Sequence, residues 1–153
     1  RVFVTTGDLV SELYVTVSQE SAQAAMGGEL SLDDGQLIEV LVRLKDPDNK
    51  NSAGRNPSVA RVDLIVGELT GPGKNLDRDE HKSVQVVKRF TRENWKEKNG
   101  YTEMRHSLRL DGPSYLRVRG TNVAKELEPE PDELGEDPWA DLWFYSNPVF
   151  VRR

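Results

Sequence analysis

The chain has no cysteine, only two histidines and no long apolar run. Without Cys there can be no disulfide framework, thiolate nucleophile, zinc ribbon or iron–sulfur site. Two imidazoles, His81 and His106, are too few for a polyhistidine metal centre. No apolar stretch approaches the roughly 20 residues that a membrane-spanning helix needs. No Gly-x-Ser-x-Gly elbow occurs, and no nucleophilic triad assembles from the remaining Ser and His residues. Basic residues are scattered and no Gly-aromatic RNA-binding pattern appears, which argues against nucleic acid as a partner.

What is present is a chain of 153 residues, 36% hydrophobic and 31% charged, long enough to bury one core without staples. Its net charge of −5 is unevenly placed. Glu126, Glu128, Glu130, Asp132, Glu133, Glu136, Asp137 and Asp141 follow one another with no Lys or Arg between them. Without those eight, 18 acids face 21 bases, so the rest of the chain is mildly basic. Pro129, Pro131 and Pro138 punctuate this segment, as expected of a stiff, solvated connection. A site for a cation or a basic partner is the functional alternative.

Period-two alternation dominates the remainder. Leu13, Val15 and Val17 share one face, as do Ile38, Val40, Val42 and Leu44 within Gln36 to Lys45. Ala60, Val62, Leu64 and Val66 point inward and Arg61 and Asp63 outward. Met104, His106, Leu108 and Leu110 alternate with Arg105, Ser107 and Arg109, and Leu116 and Val118 with Arg117 and Arg119. Such runs are half-buried antiparallel strands. Gly27-Gly28, Asp33-Asp34-Gly35, Asp46-Pro47-Asp48-Asn49, Gly71-Pro72-Gly73, Asn99-Gly100 and Asp111-Gly112-Pro113 mark turns between them. One helical turn is expected at Thr91 to Lys96, with Thr91 as N-cap and Trp95 packing down, and another within residues 19–26. The fold expected is all-β: a two-sheet antiparallel β-sandwich, jelly-roll or immunoglobulin-like, with one or two short helical turns. A closed barrel carries similar alternation and is the second choice.

Candidate chemistry is sparse. His106 lies on an apolar strand face, where packing is the ordinary role, and His81 lies in a polar stretch expected to be exposed. The carboxylate pairs Asp33-Asp34, Asp46/Asp48 and Asp77/Asp79 have the residue types of a glycosidase, but all sit in turns where Asp serves the backbone. Asp46, Asp48, Asn49 and Asn51 offer hard oxygens for calcium in one loop, without the full Asp-x-Asp-x-Asp-Gly pattern and with Lys50 among them. Trp139, Trp143, Phe144, Tyr145 and Phe150 crowd into twelve positions. Exposed, Trp139, Trp143 and Tyr145 would form a sugar-binding platform, with Arg117, Arg119 and Asp141 as polar flanks. Packed, Trp139 and Trp143 would pin the acidic segment to the sandwich, and Asp141 would pair with Arg117 or Arg119.

Val2-Phe3-Val4-Thr5-Thr6-Gly7-Asp8-Leu9, Val59 to Gly67, and Asp141-Leu142-Trp143-Phe144-Tyr145-Ser146-Asn147-Pro148-Val149-Phe150-Val151 form three recognisable stretches. Together they resemble the C-terminal β-rich region appended to PHP-type (polymerase and histidinol phosphatase) metallohydrolases. The first departs from the family pattern at Asp8, where Pro is usual. The family's His-x-His metal motif is absent, so no catalytic residue carries over. The resemblance implies that the divalent metal and the chemistry belong to an upstream catalytic domain of the same chain, and that the parent is secreted or periplasmic. It further implies that residues 1–10, with Thr5, Thr6, Gly7 and Asp8 at the contact, form the junction and residues 11–153 the sandwich. The opening Arg1-Val2-Phe3-Val4, strand-like and without Met or a signal-peptide pattern, fits the expectation of a piece of something longer. The alternative is a carbohydrate-binding or adhesion module, and a self-contained carboxylate hydrolase ranks third.

Overall fold

The computed structural model describes residues 3–33, 35–72, 81–125 and 134–153. Arg1, Val2, Asp34, Asp77, Asp79 and the stretch 126–133 of the acidic segment lie outside them. The strands are β1 (Phe3–Thr5), β2 (Glu12–Gln19), β3 (Ala22–Ala25), β4 (Glu29–Ser31), β5 (Leu37–Lys45) and β6 (Arg61–Glu68). They continue with β7 (Gln85–Phe90), β8 (Lys96–Lys98), β9 (Tyr101–Arg109), β10 (Ser114–Thr121), β11 (Trp143–Ser146) and β12 (Val149–Arg152). No helix occurs among the described residues, and hence none long and apolar enough to cross a membrane.

The strands form two sheets, as the alternation predicts. One has the order β3-β2-β5-β9-β8 and is antiparallel throughout. The other is built on β10, which pairs with β6 along its whole length on one edge. Its other edge is shared by β11 at Arg119–Thr121 and β12 at Ser114–Leu116. Beyond these, β1 adds to β11, β7 to β6, and β4 joins β12 as the parallel pair. The break between β11 and β12 falls at Asn147-Pro148, since Pro has no N–H to give a ladder. There Ser146 Oγ accepts the Val118 N–H at 2.9 Å, a bond the ladder leaves open.

The core lies between the sheets. Leu13, Val15 and Val17 meet Ile38, Val40, Val42 and Leu44 from one side, and Val62, Leu64, Leu116, Val118, Phe144, Val149 and Val151 from the other. Burying each such side chain stabilises the fold by about 1.5–3 kcal/mol. Gly120 and Phe144 are direct cross-strand partners, and a Cβ on Gly120 would stand 2.2 Å from the Phe144 ring. Only glycine lets that ring lie across β10.

Two local expectations are corrected. Residues 22–25 form β3, not a helical turn. Gln19 and Ala22 close a hairpin around Glu20, whose φ of 49° is left-handed, and pairing with β2 overrides the helical preference of the alanines. Thr91 to Lys96 is a reverse turn: Asn94 N–H donates to Thr91 O at 2.9 Å, and Asn94 Oδ1 accepts the Thr91 N–H. The chain then enters β8 at Lys96, so no helix can propagate. Trp95 does pack against the core.

Candidate interface on the seven-stranded sheet

The outer face of the sheet built on β10 brings together Arg119, Trp143 and Tyr145 from among the residues singled out above. One cross-strand row runs through Val4 of β1, Tyr145 of β11, Arg119 of β10, Asp63 of β6 and Arg89 of β7. The next row holds Trp143, Thr121 and Arg61. All these side chains point away from the core, because their neighbours in each strand point into it.

Arg61 and Asp63 do turn outward as alternation requires, yet each is only 1% exposed, which corrects the expectation that they face water. Longer side chains from adjacent strands close over them. Arg89 Nε donates to Asp63 Oδ1 at 2.8 Å and Arg119 Nε to Oδ2 at 3.1 Å, while Arg61 Nε lies 3.7 Å from Oδ1. Arg61 also donates to the Lys125 carbonyl at 2.6 Å. The Trp143 ring lies beneath two guanidinium groups, 5.7 Å from Arg61 and 5.8 Å from Arg119, and stacks on Tyr145 at 6.3 Å. A carboxylate so placed is tolerated only because several cations share it.

The expected pairing of Asp141 with Arg117 or Arg119 is not formed. Asp141 Oδ2 accepts the Trp143 indole N–H at 3.1 Å, Arg119 is engaged by Asp63, and Arg117 is exposed. Trp139 packs against the core and Trp143 is half-buried, whereas Tyr145 is 42% and Val4 64% exposed. Of the three-aromatic platform, one member stands in the open.

Thr5-Thr6-Gly7-Asp8 forms a bonded corner from one sheet to the other. Trp143 N–H donates to Thr6 Oγ1 at 2.8 Å and Thr6 N–H to Trp143 O at 2.8 Å. Gly7 (φ 53°) is packed on Leu142, which a Cβ would meet at 2.5 Å. Asp8 shares the left-handed backbone at φ 51°. Leu9 and Val10 follow in the core, so the sandwich includes β1 and this corner.

Of the loop oxygens considered for calcium, those of Asn51 and Asp48 are engaged within the chain. Asn51 is buried, with Oδ1 accepting from the Ala53 and Arg55 N–H groups at 3.0 Å and Nδ2 donating to Gly7 O. Asp48 is exposed and pairs with Lys45 at 3.3 Å, Asn49 is exposed, and Asp46 lines a cleft. No group of three or more His, Cys, Asp or Glu suited to a metal occurs among the described residues. His106 is half-buried on β9, its pKa held low by burial and by Lys88. His81 is exposed and its Nδ1 is 2.7 Å from Ser83 Oγ.

Sequence reasoning missed a second cluster, on the outer face of the five-stranded sheet. Glu12 Oε2 accepts from Tyr101 at 2.7 Å and Tyr14 at 2.9 Å. Arg43 lies 4.4 Å above the Tyr101 ring and 3.0 Å from Glu103. The hydroxyl of Tyr101, then that of Tyr14, holds the Glu12 carboxyl below its usual pKa, and both tyrosines are raised in turn. Alternation along β2, β5 and β9 is consistent with their facing outward but carries no sign that they would meet.

No protein-family model, curated protein or solved structure matches this chain.

Proposed function

We propose that this chain is a non-catalytic C-terminal β-sandwich domain of a larger PHP-like metal-dependent phosphoesterase or hydrolase, packing on the catalytic domain and shaping the approach to it. The observation that carries the reading is the exposed pair Val4 and Tyr145, opposite one another on β1 and β11 beside the Thr5–Asp8 corner. Exposed apolar side chains grouped on a rigid sheet are what an interdomain contact uses. The corner beneath them is tied by hydrogen bonds, so the surface is presented in a fixed form.

The sequence encoded upstream of Arg1 tests this directly. A preceding domain with His-x-His and acidic metal ligands is expected, and an upstream region lacking one overturns the assignment. In the parent protein, Val4→Asp with Tyr145→Ser is expected to speed proteolytic release of the sandwich; an unchanged rate removes this face from the contact. Phosphatase turnover by the 153-residue chain above a metal-only control would overturn the non-catalytic reading.

The second reading, a carbohydrate-binding or adhesion module, is favoured by one observation, the stacked Trp143–Tyr145 pair on an outer face. The packing of Trp139 against the core weakens it. Saturable binding of oligosaccharides that is lost in Tyr145→Ala would select it over domain packing.

A further inference from the structure

A cleft of about 290 Å³ opens at the β8 edge of the sandwich, away from the face just described. Its polar lining comprises Asp46, Glu97, Arg92, Ser58 and Thr102, with Trp95 as the aromatic wall. The strand register explains how it forms. Leu44, Thr102 and Glu97 are successive cross-strand partners on β5, β9 and β8, and Leu44 faces the core. Glu97 therefore ends an inward-facing row at the sheet edge, and Asp46, two residues beyond Leu44, lines the same space.

We propose that this cleft binds an organic cation, a primary or quaternary ammonium group held between the Trp95 ring and the carboxylates of Asp46 and Glu97. An indole attracts a cation through its negative face and accepts the attached hydrocarbon. With Arg92 also in the lining, the two carboxylates leave one net negative charge for it, whereas calcium needs six or more oxygen ligands. Asp46 is exposed as a residue, yet its carboxyl is raised in pKa, mainly by desolvation within the cleft and against a hydrogen bond from the Val59 backbone. Glu97 raises it further, and the exposed Arg92 opposes this less strongly. Asp46 and Glu97 line the same cleft, and a cation between the acids relieves their repulsion. One reason to place Glu97 inward is protection of an edge strand; Trp95 also packs against the core, and the cleft volume adds what neither role requires.

The test titrates the 153-residue chain with choline chloride at constant ionic strength, following the Trp95 indole N–H by NMR, assigned against Trp95→Phe. Saturable binding is expected, with Glu97→Gln weakening it about two- to fivefold. Arg92→Gln should strengthen binding, since it removes the opposing charge. Both substitutions are at exposed positions, so folding is not at issue. Equal binding of 3,3-dimethylbutanol, the neutral isostere of choline, would overturn the proposal. So would weaker binding in Arg92→Gln, or shifts that never saturate.

Discussion

The outer faces of the two sheets are built from the same kinds of residue and reach different results. On the sheet around β10, Asp63 sits under Arg89 and Arg119, with Trp143 beneath two guanidinium groups. On the five-stranded sheet, Glu12, Tyr14, Tyr101, Arg43 and Glu103 form a comparable set of carboxylates, arginine and rings. Asp63 is 1% exposed, whereas Tyr14 is 47% exposed and water reaches its cluster. The difference lies in what surrounds the groups. Dehydrated charges must all be matched, while hydrated ones can lose a partner at small cost.

The largest effect is therefore expected at Asp63. Asp63→Asn keeps the shape but leaves Arg61 and the groups around it without their shared anion. A loss of about 3–5 kcal/mol is expected, the range for breaking a buried pair from one side. Urea denaturation measures it; a loss under about 1 kcal/mol would mean that the two faces do not differ in kind.

Gly120→Ala ranks second. The added methyl must displace the Phe144 ring, and forcing a group into a packed core costs about 1–3 kcal/mol. The partner substitution Phe144→Leu in the same chain should recover part of the loss, read as the denaturation midpoint. No recovery would place the strain in the backbone near the Arg61 carbonyl, 3.0 Å from where the methyl would stand.

Long alternating strands were legible before any coordinates, because a face of four valines or leucines at period two has few other uses. Val40, Val42 and Leu44 are buried as read, and so are Leu64, Leu116 and Val118. Asn99-Gly100 announced its hairpin, and both residues adopt the positive φ that the tight turn requires. The Glu20 turn adopts the same kind of backbone with no residue that signals it, so β3 was hidden among alanines. The direction of Arg61 and Asp63 was legible, but their burial was not, since it depends on side chains from β7 and β10 folding across. The cleft at Asp46 was hidden for a similar reason: Glu97 joins it only through the β8–β9 register.

The cluster on the five-stranded sheet, open to water at Tyr14 but half-buried at Arg43 and Glu103, supplies the smaller effects. Arg43→Ala removes the contact with Tyr101 and the pairing with Glu103, and about 1 kcal/mol of destabilisation is expected. Repeating the measurement in 1 M salt should diminish it, since solvent and ions reach this face. The Asp63→Asn loss should change less under the same conditions. Equal salt sensitivity would erase the distinction between the faces.

The smallest effect sharpens the comparison within one carboxylate. Glu12 has a lowered pKa chiefly through Tyr101 and secondarily through Tyr14. A folded-state pKa below the unfolded one contributes stability above the ordinary carboxylate range, and that contribution is lost as pH falls through the lowered value. Tyr101→Phe should move the Glu12 pKa upward, and Tyr14→Phe should move it upward by less, followed by carboxyl NMR shifts during acid titration. The hydroxyl distances, 2.7 Å against 2.9 Å, run in the same order. If instead neither tyrosine variant shifts Glu12 and only Arg43→Ala does, charge and not hydroxyl donation governs this face. The five-stranded sheet would then work by the same electrostatics as its partner, merely in water.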